Sequence, residues 1–178
     1  DKTLSEIMTQ KIMESTNLLE NTKLAFIGCG VMGESIIAGL LRKQLVNSKQ
    51  ISASHPRLNR REELEKKYGI DAFEHNSDCV KSLADDNSIV VICVKPQRLK
   101  GVLSELKDVG SPNHLIISIV AGATIETLSE GLKNKFIVRS MPNTPSVITN
   151  MPPPVFSIIF SARCSCFSAS SILLCLKA

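Results

Sequence analysis

The amino-acid sequence predicts an α/β domain in which helices wrap both faces of a parallel β-sheet, a doubly wound fold. Three observations lead to this prediction. Short apolar runs recur along residues 23–140, and glycine, proline or polar residues end them. The strongest runs are apolar throughout rather than alternating, which is typical of strands buried on both faces of a parallel sheet. Segments with helical spacing lie between them, and regular strand–helix alternation is the pattern of doubly wound folds.

Five apolar runs are predicted as strands, and a weaker sixth lies between the second and the third. In chain order the predicted strands are KLAFIG (23–28), ISAS (51–54), the weaker GIDAF (69–73), SIVVICV (88–94), LIISIVA (115–121) and FIVRS (136–140).

The intervening segments have the marks of helices. ESIIAGLLRK (34–43) follows the first strand, and residues 59–68 contain Glu–Lys pairs four positions apart. Residues 97–106 place four apolar side chains on one helix face. Thr124 is predicted to cap a helix that begins IETLSE, and Gly131 to end it in a left-handed conformation.

Length and composition narrow the classes of protein. The chain has 178 residues, enough for one good domain and too few for two full ones. A net charge of +4, only 4% aromatic residues and no Trp favour a small anionic ligand over nucleic acid.

Six cysteines without CxxC spacing or a signal-like segment predict reduced thiols and a cytoplasmic location. Cys164 and Cys166 lack further ligands at zinc spacing, so we predict no metal site, and Arg163 interrupts the apolar tail, which argues against a membrane anchor.

A glycine motif follows the first strand. Gly28, Gly30 and Gly33 form G-x-G-x-x-G between a strand and a helix, the context in which this pattern predicts dinucleotide binding. The first glycine permits a tight turn, the second a close approach of the backbone to a pyrophosphate, and the third close helix–strand packing. The helix N-terminus offers free N–H groups to the anion. The fold is therefore predicted to be of the Rossmann type.

The end of the second strand predicts which nicotinamide cofactor is preferred. Sites specific for NAD place an acid there for the ribose 2′-hydroxyl, whereas an arginine accommodates the 2′-phosphate of NADP. Here Ser54 and Arg57 stand in its place, and no acid occurs before Glu62. We predict a preference for NADPH, with NADH possible. For Arg57 a phosphate contact and an exposed surface position both remain open, whereas Arg60 and Arg61 are predicted to lie on a solvated helix face.

The remaining strand ends supply further candidates. VKPQ follows the fourth strand, AGAT the fifth and MPNTP the sixth. Lys95 fits a ligand contact or a surface lysine equally well, and Asn143 offers both a donor and an acceptor. No Ser/His/Asp or Cys/His arrangement is present, and hydride transfer needs none because the cofactor supplies that chemistry.

Together these segments resemble the pyrroline-5-carboxylate reductase family. The similar stretches are FIGCGVMGESIIAGLL, SASHPRLNRRE, EHN (74–76), VVICVKPQ, ISIVAGATIETL and IVRSMPNTPSV. The resemblance implies reduction of 1-pyrroline-5-carboxylate to L-proline with NAD(P)H, the last step of proline biosynthesis. An alternative is another small NADP-dependent reductase of the β-hydroxyacid dehydrogenase type, which MPNTP disfavours. A non-catalytic nucleotide-binding protein is a third possibility.

The resemblance also implies a set of cofactor contacts along the strand ends, and no catalytic residue. The implied contacts are Ile27, Gly28, Cys29, Gly30, Val31, Met32, Gly33, Ser54, Arg57, Asn76, Val94, Lys95, Pro96, Ala121, Gly122, Met141 and Asn143.

The similarity ends at about Thr149. In the family, a second, all-helical domain follows, which carries a glycine-rich substrate loop and builds the homodimer. No glycine follows Gly131 here. We therefore expect a truncated form that binds cofactor with little activity, without the family's C-terminal helical domain and its dimer contacts. The expected division is a flexible extension (1–22), a Rossmann domain (23–148) and a disordered tail outside the family pattern (149–178).

Overall fold

A computed structural model of the chain describes residue 19, residues 21–83 and residues 88–140. These residues form a six-stranded sheet in which every neighbouring pair is parallel. The strands are β1 (Leu24–Ile27), β2 (Ile51–Ser54), β3 (Asp71–Phe73), β4 (Ile89–Ile92), β5 (Leu115–Ser118) and β6 (Ile137–Arg139). The predicted parallel sheet is thus confirmed, including its weak third strand.

The order of the strands across the sheet is β3-β2-β1-β4-β5-β6. This is the order of dinucleotide-binding folds, in which the chain reverses its direction of travel between β1 and β4. Phe26 of β1 lies opposite Ala53 on one side and Val91 on the other, so β1 is at the centre of the sheet. The carboxyl ends of β1, β2 and β4 therefore meet at one edge, where ligands bind in such sheets.

Helices connect the strands. Those of at least six residues in the described part of the chain are α1 (Val31–Arg42), α2 (Leu58–Tyr68), α3 (Asn76–Lys81), α4 (Pro96–Leu106) and α5 (Ile125–Leu132). Four of them were predicted. The exception is α3, which has six residues and no side-chain cap of its own. Its first turn is satisfied instead from α4, since Ser77 N donates to Glu105 Oε1 at 3.1 Å.

The core consists of two apolar layers, one on each face of the sheet. Alternate residues of β1 point to opposite faces, so Phe26 contributes to one layer and Ile27 to the other. The first layer includes Ile37 of α1 and Leu64 of α2. The second is covered by α3, α4 and α5 and contains Cys79, Val80, Leu99, Leu103 and Leu128. Burial on both faces explains why the two central strands, β1 and β4, are apolar throughout.

The predicted end of α5 is wrong. Gly131 lies inside the helix, and the residue with the left-handed backbone is Lys133, with φ 52°. Gly131 instead faces α4, where a Cβ atom would lie 2.8 Å from Leu103 Cδ1 and 3.1 Å from Leu103 Cβ. The glycine therefore permits close packing of the two helices.

Several predictions fall wholly or partly outside the described residues. Among these are the cofactor contacts Met141 and Asn143, the tail 149–178 and most of the segment 1–22. Of that N-terminal segment, Leu19 packs into the first apolar layer, and its carbonyl accepts a hydrogen bond from Gln50 Nε2 at 2.6 Å.

Candidate functional site

The glycine motif forms the turn that joins β1 to α1. Gly28 has φ +74°, a left-handed conformation that side chains other than glycine rarely adopt. A Cβ atom there would also collide with the side chain of Val94, which follows β4. Position 28 therefore needs glycine for its backbone and for the close approach of the neighbouring strand end.

The other two glycines differ in their surroundings. Gly30 is the N-cap of α1, and a Cβ atom there would meet nothing among the described residues nearer than Gly28 O at 4.0 Å. At Gly33 a Cβ atom would lie 3.2 Å from Cys29 Sγ and 3.3 Å from Cys93 Sγ. Gly33 thus allows the close packing that the motif predicts, while the surface above Gly30 is open to a ligand.

The amino end of α1 is exposed at this turn. Val31, the first helical residue, is 71% exposed, and Met32 is partly exposed. The first N–H groups of a helix lack partners within the helix. An anion above Gly30 would meet these groups, which is the arrangement that binds a pyrophosphate. Ile27 and Cys29 have buried side chains, so only their backbones can reach such a ligand.

Ser54, at the end of β2, supports the glycine turn from below. Its side chain is fully buried, and its Oγ accepts a hydrogen bond from Gly28 N at 3.1 Å. The same hydroxyl donates to Asn76 Oδ1 at 2.8 Å, and Ser54 O accepts from Cys29 N at 2.8 Å. The hydroxyl is therefore used within the protein to position the turn, and a direct phosphate contact stays a prediction.

Asn76 extends this hydrogen-bonded chain to α4. Its Nδ2 donates to Glu105 Oε2 at 2.6 Å. A run of hydrogen bonds thus connects Gly28, Ser54, Asn76 and Glu105. Sequence reasoning missed Glu105, because nothing in the sequence relates a carboxylate on one helix to an amide 29 residues away.

A hollow beside the end of β2 is lined by Arg57, Asn59, Arg60 and Glu63. Arg57 is the N-cap of α2 and is exposed, and its guanidinium forms no ion pair with any residue that the structure describes. A cation without a counter-ion at this place fits the 2′-phosphate of NADPH. The glycine turn therefore fits the pyrophosphate of a dinucleotide, and the hollow at the end of β2 fits its 2′-phosphate.

The prediction of a solvated face for Arg60 and Arg61 is wrong. The Arg60 side chain is only 22% exposed and forms ion pairs with Glu34 and Glu63. The Arg61 side chain is 13% exposed. It pairs with Glu74 at 3.0 Å and donates to the carbonyls of residues 55 and 56. Arg61 therefore stabilises the turn after β2, while Arg60 connects α2 to α1.

Glu34, in the first turn of α1, is the partner that Arg60 shares with two other donors. Its carboxylate accepts hydrogen bonds from Arg60, from Lys67 Nζ at 2.8 Å and from Tyr68 OH at 2.8 Å. Burial alone would raise the pKa of Glu34, but these hydrogen bonds outweigh it and lower the pKa to about 2. Glu34 was not predicted as a functional residue, since its partners lie 26 to 34 residues away.

The pKa values of His55 and of three cysteines are shifted towards the neutral forms of these groups. Burial, together with the charges of nearby arginines, lowers the pKa of His55, whose Nδ1 accepts a hydrogen bond from Arg57 N at 3.2 Å. Burial raises the pKa of Cys29 to about 12 and raises those of Cys79 and Cys93. Since a thiolate is the reactive species, these thiols are chemically inert at neutral pH.

The remaining predicted contacts lie at the ends of β4 and β5. Val94 packs against Gly28, and Lys95 is exposed as the N-cap of α4, followed by Pro96 in its first turn. Ala121 and Gly122 are exposed after β5, and Gly122 has φ +76°. The parallel sheet thus brings the ends of β1, β2, β4 and β5 to one edge. In the described residues no helix is long and apolar enough to cross a membrane.

Comparisons with known proteins agree with this geometry. Residues 23–122 match the family model described as NADP oxidoreductase coenzyme F420-dependent. The chain is 34% identical over 156 residues to a pyrroline-5-carboxylate reductase of Pseudomonas aeruginosa. The aligned region covers 87% of this chain and 55% of that protein.

Two solved structures are also similar. A pyrroline-5-carboxylate reductase from Coxiella burnetii superposes with a TM-score of 0.65 at 30% identity, over 72% of this chain and 47% of that one. The pyrroline carboxylate reductase of Plasmodium falciparum with NADP bound superposes with a TM-score of 0.59 at 29% identity, over 72% and 45%. The chain spans about half the length of the curated relatives it matches.

The family match begins with β1 and includes the glycine turn, the hollow at α2 and the ends of β4 and β5. The chain belongs to the family described as NADP oxidoreductase coenzyme F420-dependent, and over this region it is similar to pyrroline-5-carboxylate reductases.

Proposed function

We propose that the chain binds NADPH at the edge of the sheet formed by the ends of β1, β2 and β4. The pyrophosphate would lie over Gly30 at the amino end of α1, and the 2′-phosphate would lie in the hollow beside Arg57. The observation that carries this proposal is the exposed guanidinium of Arg57, which forms no ion pair among the described residues and lies at the end of β2, where NAD-specific sites place an acid. The NADP bound to the Plasmodium falciparum relative supports it.

We further propose that this cofactor site serves the reduction of 1-pyrroline-5-carboxylate to L-proline. When bound, the cofactor would supply a hydride for the C=N carbon, and a proton from solvent would complete the amine. The residues of this chain bind and orient the cofactor, and no residue is assigned to the substrate. Since the 178 residues span about half the length of the matched relatives, we expect them to bind the cofactor and to reduce little substrate.

Calorimetric titration of NADPH and NADH into the wild-type chain and into Arg57→Gln tests the cofactor assignment. A hydrogen bond between charged groups contributes about 1.5 to 3 kcal/mol, so Arg57→Gln should weaken NADPH binding about tenfold or more. NADH binding should change less than about twofold, because its 2′-hydroxyl carries no charge to lose. The matched control is Lys66→Gln, which removes the same charge from the exposed last turn of α2. Equal losses for the two cofactors would contradict the assignment.

The reductase proposal needs a separate assay. Oxidation of NADPH by the 178-residue chain is followed with and without 1-pyrroline-5-carboxylate, and L-proline is quantified as the product. We expect slow formation of proline that requires NADPH. A chain that binds NADPH tightly and forms no proline would favour a non-catalytic nucleotide-binding protein instead.

A further inference from the structure

Arg60 has a different partner on each side of its guanidinium. Its Nη2 donates to Glu34, and its Nη1 donates to Glu63 Oε2 at 2.9 Å. The two carboxylates belong to different elements. Glu34 lies in the first turn of α1, whereas Glu63 lies one turn after Arg60 on α2.

The two contacts are unequal. The Glu34 side chain is 18% exposed and is fixed by three donors, from Arg60, Lys67 and Tyr68. The Glu63 side chain is 63% exposed, and its one side-chain partner among the described residues is Arg60. An exposed pair one turn apart on a helix adds little to stability. The Glu34 contact therefore anchors Arg60, and the Glu63 contact is easily broken.

Glu63 also lines the hollow that contains Arg57, Asn59 and Arg60. Its charge therefore faces the place where the 2′-phosphate is proposed to bind. A phosphate that approaches Arg57 and Arg60 meets a carboxylate that repels it and that already occupies Arg60 Nη1. The 2′-hydroxyl of NADH has no charge to be repelled, and a carboxylate is the acceptor that such hydroxyls use in NAD-specific sites.

We propose that Glu63 determines cofactor specificity by competing with the 2′-phosphate for Arg60. In the free chain Glu63 holds Arg60 Nη1, and it releases this nitrogen when the phosphate binds between Arg57 and Arg60. Glu63 thereby reduces the preference for NADPH that two arginines would otherwise give, and it keeps NADH acceptable. This inference rests on the proposed NADPH site.

The test compares Glu63→Gln with Glu62→Gln, which removes the same charge from the exposed position next to it on α2. Dissociation constants for NADPH and NADH are measured calorimetrically at low and at high salt. Glu63→Gln should bind NADPH about threefold to tenfold more tightly, from the loss of one nearby like charge, and the gain should shrink in high salt. NADH binding should stay the same or weaken. Glu62→Gln should change either constant less than about twofold.

A second variant shows whether the effect passes through Arg60. In an Arg60→Gln background, the replacement of Glu63 by Gln should give clearly less gain in NADPH affinity than in the wild-type background. An equal gain in both backgrounds would overturn the competition for Arg60. Thermal unfolding of the free variants checks that each is folded before binding is compared.

The outcomes separate this inference from the proposal on which it rests. If the wild-type chain binds NADPH but Glu63→Gln and Glu62→Gln give the same ratio of NADPH to NADH affinity, Glu63 has no specific role and the NADPH site stands. If the folded wild-type chain binds neither cofactor, the NADPH site itself is refuted and the inference falls with it.

Discussion

Two glycines of this chain are required for different physical reasons. Gly28 needs its left-handed backbone, and it also lies where a side chain would collide with Val94. Gly131 has an ordinary helical backbone, and it lies where a side chain would press on Leu103 of the neighbouring helix. The first requirement is written in a motif of fixed spacing. The second depends on how α4 and α5 pack, which is not visible in the sequence. For this reason Gly131 was predicted as a helix end.

Replacing Gly131 with Ala should destabilise the fold although Ala is the better helix former. The new Cβ would lie 2.8 Å and 3.1 Å from two Leu103 carbons, and overpacking of this kind costs about 1 to 3 kcal/mol. Gly101→Ala in α4 is the matched control, because a Cβ there has no described atom within 4 Å. It should stabilise by about 0.5 to 1 kcal/mol. Urea denaturation measures the free energy of unfolding of both variants. A Gly131→Ala variant more stable than the wild type would show that α4 and α5 can move apart at no cost.

The buried hydroxyl of Ser54 is expected to stabilise the fold through its hydrogen bonds. In Ser54→Ala, Gly28 N–H loses its acceptor and Asn76 Oδ1 loses its donor. The lost hydroxyl is fully buried, and its two partners are partly buried. An unsatisfied buried group costs about 1 to 3 kcal/mol, so the free energy of unfolding should fall by that amount. Ser104→Ala, an exposed position on α4, is the control and should change little. Denaturation with equal midpoints for the two variants would contradict the supporting role of Ser54.

At the scale of elements, α1 and α2 are joined by the carboxylate of Glu34. It accepts hydrogen bonds from three side chains of α2, namely Arg60, Lys67 and Tyr68. The contact fixes α1, which follows the glycine turn, against α2, which contains Arg60 and begins after Arg57. The two proposed phosphate sites therefore keep a defined distance, which lowers the entropic cost of binding one dinucleotide across both.

The contribution of Glu34 to stability should depend on pH. Its pKa is about 2 in the folded chain against an ordinary value of 4.5, so the ionised form is favoured by folding. The contribution is present above about pH 4.5 and is lost as the pH falls towards 2. At neutral pH, Glu34→Gln should lower the free energy of unfolding by about 1 to 3 kcal/mol, allowing for partial exposure to solvent.

Denaturation of the wild-type chain and Glu34→Gln across this pH range measures the effect. The difference between them should shrink steadily below about pH 4.5, because protonation removes the same charge as the substitution. The control is Glu62→Gln, an exposed carboxylate for which we expect a small difference at every pH. A difference that stays constant from neutral pH to about pH 2 would mean that packing, not charge, makes Glu34 important.

Some helices and strands could be predicted from the sequence, and others could not. The central strands and four of the helices follow from apolar runs and helical spacing, which are local properties. The short helix α3 does not, because its first turn is completed by Glu105 from α4. A helix of six residues that depends on a distant partner leaves no periodic signal of its own.

At the scale of the whole molecule, the strand order brings the ends of β1, β2 and β4 together at the point where the sheet reverses direction. The place of the site could therefore be predicted once the glycine motif was assigned to the first strand. The interactions that shape the site could not. Glu34 with Arg60, and Asn76 with Glu105, are 26 and 29 residues apart, and each pair forms only when two helices pack.

Binding of NADPH to this chain can be measured by thermal unfolding of the purified 178-residue chain. NADPH at about 100 times its dissociation constant should stabilise the folded chain by about 2.7 kcal/mol, a shift of several degrees in Tm. NADH at the same concentration should give a smaller shift. A cooperative transition that NADPH leaves unchanged would show that the folded chain does not bind this cofactor.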